Sequence, residues 1–265
     1  MSLIVLTSAN GSPGVTTTAL GLALAWPRPA LLVEADPTGA SGILAGYFRG
    51  EVNHTAGLID LAMSHRQGTL AEDLPKVTMA IPGSAAQLLP GTRAHSQSRS
   101  LLPLWEPLAG ALRALERTGQ DVIVDAGRLG LNGAPEPLVH AADLALLVTR
   151  STLPALAGAK SWADTLRAEF ERTGASANLG LLVVGQGQPY GPREVSKVLQ
   201  IPVTATLAWD PVSAEVLSRG ASQPRKFESA SLPRSLRAAI SEIQSVLHAN
   251  RAELGVTPGE GDHHV

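Results

Sequence analysis

Eight residues near the N-terminus, Asn10-Gly11-Ser12-Pro13-Gly14-Val15-Thr16-Thr17, follow an apolar run from Leu3 to Leu6 and open a helical one. They have the outline of a phosphate-binding loop without its lysine. In such a loop, backbone N–H groups of a glycine-rich turn and a helix N-terminus cradle the phosphates. A lysine reaches the β/γ-phosphates, and a Ser or Thr hydroxyl holds Mg²⁺. Here Val15 stands at the lysine position, Thr16 is the metal-side hydroxyl, and Gly11 and Gly14 allow close backbone approach. The amide nest is retained and the point charge is not. Over these eight residues alone, an ordinary strand-to-helix turn fits equally well.

Two acidic strand ends accompany the loop. Leu31-Leu32-Val33-Glu34-Ala35-Asp36-Pro37-Thr38-Gly39 is an apolar run closing on an acidic turn, and Gln120-Asp121-Val122-Ile123-Val124-Asp125-Ala126-Gly127 is another. Asp125 falls where a carboxylate reaches Mg²⁺ directly or through water. Asp36 also suits a plain turn before proline, and Asp125 a cap on the following turn. Glu34 is expected at the interior edge or at a helix N-terminus. With a glycine loop in the same chain, the acids favour a nucleotide or phosphate pocket with Thr16, Asp36 and Asp125 as Mg²⁺ candidates. The only lysines, Lys76, Lys160, Lys197 and Lys226, lie outside these motifs. Arg128, just after Asp125, is the first candidate for a substitute cation near the γ-phosphate, and Arg150 at the end of the next strand is the second. A hydrogen bond to a charged group is worth about 1.5–3 kcal/mol, or about 10- to 150-fold in affinity. Losing the lysine therefore weakens binding without abolishing it. Hydrolysis suffers separately, because a positioned transition-state donor is worth ~10²–10³ in rate.

The elements that must position these residues alternate short β-branched or leucine-rich runs with longer amphipathic ones. Strands are expected at 2–7, 30–35, 77–81, 86–89, 121–125, 143–148, 179–184 and 203–208. Helices are expected at 15–25, 57–63, 100–117, 152–173, 191–199, 211–219 and 232–251. Continuously apolar strands separated by helices imply an α/β protein, a three-layer sandwich with a mostly parallel sheet covered on both faces. Ligands of such sheets bind at the carboxyl ends of the strands. Segment 91–100 reads as a polar loop, 1–254 as a single domain and 255–265 as a disordered tail.

Composition narrows the function classes. The chain has 265 residues, 44% of them hydrophobic, enough for one large core. It has no cysteine, which removes disulfides, thiolate zinc sites and cysteine nucleophiles. No apolar run approaches the ~18 residues of a membrane span, and no charged region precedes the first hydrophobic stretch, so a cytoplasmic location is expected. A formal net charge of −2 gives no general drive towards nucleic acid. The histidines form no metalloenzyme spacing. Leu232, Leu236, Ile240, Ile243 and Leu247 make one helical stripe, expected to pack on the core because a membrane-surface helix is rich in basic and aromatic residues. Arg219, Arg225 and Lys226 form a small basic cluster that would support only weak, salt-sensitive DNA binding.

The chain resembles the ParA/MinD family of P-loop ATPases, whose deviant Walker A motif reads KGGxGKTT. On that motif Asn10 takes the place of the signature lysine, Ser12 of the second glycine and Val15 of the loop lysine, while Gly11, Gly14, Thr16 and Thr17 match. Glu34-Ala35-Asp36-Pro37-Thr38-Gly39 is similar to the family's D-x-D-P-Q-G switch, with Asp36 on the aspartate that orients the attacking water, and Asp125 on the Walker B aspartate. Gly57 to Asp60, Gln87 to Gly91, Ala141 to Thr149 and Ile201 to Pro211 resemble further family segments in order. The likeness covers residues 1 to 250. Gly185 to Gly191 is similar to the loop that borders the adenine base.

The resemblance implies a P-loop protein that binds ATP or ADP with Mg²⁺ weakly or not at all. At most it hydrolyses ATP slowly, with Asp36 as the catalytic group. It further implies a homodimer that serves as a positioning or assembly factor in partitioning, septum placement or, as in TadZ/CpaE-like proteins, pilus or secretion localisation. Asn10 cannot carry the charge that the signature lysine takes across the nucleotide-sandwich dimer. A nucleotide-independent scaffold of the same fold and a DNA-binding partition protein are the alternatives.

Overall fold

The computed structural model describes residues 2–52 and 54–255. Its elements are β1 (Leu3–Ser8), α1 (Val15–Ala25), β2 (Ala30–Glu34), α2 (Gly42–Ala45), α3 (Leu58–Gln67), α4 (Leu70–Asp73), β3 (Met79–Ala80), β4 (Ala86–Leu89), α5 (Trp105–Ala114) and β5 (Asp121–Arg128). These are followed by α6 (Glu136–His140), β6 (Leu144–Arg150), α7 (Leu153–Arg172), β7 (Leu179–Val184), α8 (Pro192–Leu199), β8 (Val203–Leu207), α9 (Pro211–Arg219) and α10 (Ser231–Gly255).

The eight strands form one sheet in the order β3-β4-β2-β5-β1-β6-β7-β8. Neighbours are parallel throughout except at the β3 edge, where Met79 and Ala80 run antiparallel to β4. Every residue of β1 and β2 is buried, because both sheet faces are covered. Alternate side chains feed opposite layers: Leu3 and Val5 pack with α3, α5 and α7, whereas Ile4 and Leu6 pack with α1 and α10. In α10 the stripe Leu232, Leu236, Ile240, Ile243 and Leu247 is buried in this second layer. Gly21 of α1 lets the two helices meet, since a Cβ there would lie 2.8 Å from Leu236 Cδ1. Among the described residues, no helix is long and apolar enough to cross a membrane.

Three expectations need correction. The strand expected at 77–81 shrinks to two antiparallel residues, because Leu74–Val77 form a 3₁₀ turn with Pro75 at its second position. The helix expected at 100–117 divides: a 3₁₀ stretch from His95 to Leu104 contains Pro103, and α5 begins only at Trp105. Proline lacks the N–H that regular helix propagation needs. That 3₁₀ stretch also takes up residues 95–100 of the polar loop expected at 91–100. Of the tail expected at 255–265, Gly255 closes α10 and the rest lies outside the described residues.

The carboxyl ends of β1, β2, β5 and β6 share one edge. Leu6 is in register with Asp125, Glu34 with Asp125, and Ser8 with Val148. The crossover that leaves β1 runs to β2 on one side, whereas the crossover that leaves β5 passes to β6 on the other; such a change of direction is where ligands of open α/β sheets lodge.

Candidate functional site

The turn between β1 and α1 has the conformation its glycines permit. Gly11, Ser12 and Gly14 all lie in the left-handed region, at φ of 71°, 45° and 100°. Gly14 is the N-cap of α1, with no side-chain cap on the first turn. The first-turn amides of Val15, Thr16 and Thr17 therefore point outward, as in an anion nest. A Cβ on Gly11 or Gly14 would touch nothing within 4 Å, so the approach is open. Pro13 is buried, and Thr16 and Thr17 are half-buried.

Val15 and Asn10 explain what became of the two lysine positions. Val15 is 8% exposed and packs in the α1/α10 layer. Asn10 is folded back onto α7: its Nδ2 donates to Pro154 O at 3.5 Å, and its amide lies on the Cα of Gly158, where any Cβ would collide with it. It is thus engaged within its own chain.

Asp125 lies on the floor of the site. A register shift between Leu6 and Ser8 of β1 lets β5 continue to Arg128, past the strand end expected at Asp125. Gly127, at φ 62°, forms the bulge. Thr7 Oγ1 donates to Gly127 O at 3.2 Å, and Gly127 N–H donates to Asp125 Oδ1 at 3.0 Å. Asp125 Oδ2 is buried and makes no hydrogen bond. Burial pushes the Asp125 carboxyl up to about 7; the neighbouring Thr16 hydroxyl and the Gly127 amide oppose the shift, and Asp36 and Glu34 add to it.

Asp36 stands against Gly127 and accepts from Thr38 N–H at 2.9 Å. Glu34, 4% exposed, accepts from Ile43 N–H at 3.0 Å and from Gly91 N–H at 3.3 Å. It sits at the N-terminus of α2, one of the two places expected for it. Burial raises its carboxyl above the usual range, against hydrogen bonds from Ser41, Ile43 and Gly91. Glu34 thereby ties the loop after β2 to the segment after β4. Arg128 is exposed at the end of β5 and forms no ion pair among the described residues.

Arg150, the second candidate cation, and Trp209, which the sequence reading did not single out, complete the edge. Trp209, after β8, is 45% exposed and lines a cleft with Ser12, Pro13, Gly14 and Thr17. The Cζ of Arg150 lies 3.7 Å from the centroid of its ring. Gly185, which opens the glycine-rich loop after β7, abuts Trp209. A tryptophan two residues past the end of a strand was the available signal for this wall. Asp210 is structural: it caps α9 through Ser213 and holds the start of α10 through Ser231 and Leu232.

The residues fit a magnesium–nucleotide ligand. A buried carboxylate oxygen without a partner, next to a Thr hydroxyl and two further acids, is what a divalent cation would satisfy. Among the described residues no group of three or more His, Cys, Asp or Glu is placed to hold a metal unaided. This suits Mg²⁺, which keeps few protein ligands and relies on water and phosphate oxygens.

No family model and no curated protein matches the chain. Solved structures do match in fold. The cell division ATPase MinD of Pyrococcus furiosus shares 20% identity at a TM-score of 0.71, over 93% of this chain and 100% of that one. The septum site-determining protein MinD of Pyrococcus horikoshii, complexed with Mg-ADP, shares 19% at 0.68, over 93% and 97%. A ParA family ATPase of Chlorobium tepidum shares 14% at 0.68, over 90% and 97%. The parallel sheet, the helix layers and the glycine turn together give this chain the fold of the MinD/ParA ATPases.

Proposed function

We propose that the chain is a MinD/ParA-type positioning or assembly factor that binds Mg-ATP or Mg-ADP weakly as a structural ligand or slow switch. The carrying observation is the buried, unpartnered Asp125 Oδ2 below an intact amide nest. Such an atom costs about 1–3 kcal/mol unless something satisfies it. In this reading the amides from Gly11 to Thr17 bind phosphate, and Thr16, Asp125 and Asp36 hold Mg²⁺ directly or through water. The metal, when bound, offsets phosphate charge. Asp36 orients water, but with Val15 in the core no lysine meets the developing charge, so turnover is slow at most.

The role follows the same fold. A homodimer with protein partners, in partitioning, septum placement or a pilus or secretion apparatus, fits a fold shared with a cell division ATPase and a septum site-determining protein. DNA and membranes are not the favoured partners: Arg219 lies 3.7 Å from Glu215 on α9, and the α10 stripe is already buried.

Calorimetric titration with ATP, ADP and GTP in Mg²⁺, run alongside light scattering, tests the proposal. Binding that disappears in Asp125→Asn and changes the oligomeric state supports the switch. A constant oligomer and no heat with any nucleotide would establish the scaffold alternative instead.

A further inference from the structure

We infer that Arg150, held on the face of Trp209, supplies the phosphate-binding charge that the glycine turn lacks. The inference rests on the nucleotide reading above and names the residue that makes it workable.

Placement comes first. Arg150 is the last residue of β6, in register with Val184 of β7, and Val148 of the same strand is in register with Ser8. Two residues further along, the sheet edge brings Arg150 level with the first residues of the glycine turn. The chain after it stays beside that turn, since Asn10 Nδ2 reaches Pro154 O. On its other side lies Trp209, whose cleft is shared by Ser12, Gly14 and Thr17.

The chemistry then singles it out. Arg150 Nε is buried without a hydrogen-bond partner, the only arginine atom so placed among the described residues, and Arg150, like several exposed arginines, forms no ion pair among them. A guanidinium stacked on an indole is fixed in orientation while the N–H groups in its plane remain available, the geometry that suits a phosphate fork. Lysine would offer a point charge without this platform. Arg128, by contrast, is exposed and forms no ion pair among the described residues.

The test titrates the full chain with Mg-ATP, Mg-tripolyphosphate and adenosine by calorimetry, comparing wild type with Arg150→Met, Arg150→Lys and Arg128→Ala. We expect Arg150→Met to weaken Mg-ATP and tripolyphosphate about 10- to 150-fold and to leave adenosine unchanged. Lysine should restore part of the loss, and Arg128→Ala should bind as wild type does. Equal affinity in Arg150→Met, or parallel loss of adenosine and tripolyphosphate, overturns the inference while the proposed function stands. A wild type that binds no nucleotide overturns both.

Discussion

The carboxyl group of Asp36 rests on the Cα of Gly127: a Cβ built there would stand 2.4 Å from Asp36 Cγ. Since Gly127 also donates its N–H to Asp125, this one residue sets the spacing of both acids. Gly127→Ala must displace Asp36 and strain a left-handed backbone (φ 62°). We expect a loss of about 1–3 kcal/mol in urea unfolding, together with loss of Mg-nucleotide binding. Unchanged stability and binding would show that the contact is dispensable.

Asp125 makes stability depend on pH. Its folded value, about 7, lies above the ordinary 3.8, so the fold favours the neutral carboxyl. From this group alone, stability is highest below about pH 4, falls as pH rises towards 7, and is flat above. The full span is on the order of 4 kcal/mol. Asp125→Asn should remove that slope and be the more stable protein at pH 8 without Mg-nucleotide. Melting curves from pH 4 to 8 with parallel slopes for the two proteins would refute the raised value.

Val15→Lys restores the charge at the head of α1. If the turn and acids are otherwise intact, nucleotide affinity should rise about 10- to 150-fold and phosphate release ~10²–10³-fold. Val15 is core-packed, so a modest fall in melting temperature is expected alongside. Calorimetry and a phosphate-release assay measure both gains. A well-folded variant without either would mean that the pocket has lost more than its lysine.

Glu34→Ala strands two backbone amides, those of Ile43 and Gly91. Leaving buried donors unpaired costs about 1–3 kcal/mol each. The segments it joins should loosen together, seen as faster hydrogen exchange at residues 41–45 and 90–95. Exchange that rises in only one segment would argue against Glu34 as their link.

Much of the fold was legible because burial on both faces leaves a period-free apolar run. Those runs place β1, β2 and β4 to β8 within a few residues, and the carboxyl-edge rule puts Gly14, Asp36 and Asp125 at one edge of the sheet. The α10 stripe was equally readable, since five apolar residues at helical spacing have one face to bury. Pro75 and Pro103 were visible as breakers, yet how they reshaped 77–81 and 95–104 depended on what those segments pack against.

The sequence by itself determined the sheet, the glycine turn, the missing lysines and the acids that accompany them, because each is written in residue types over short, contiguous stretches. Only the tertiary structure decided that Asn10 is taken up by α7, that Gly127 spaces Asp36 from Asp125, and that Arg150 lies on Trp209. The physical reason is that a strand end fixes where a residue sits, while the direction of its side chain is set by segments remote in the chain that pack against it.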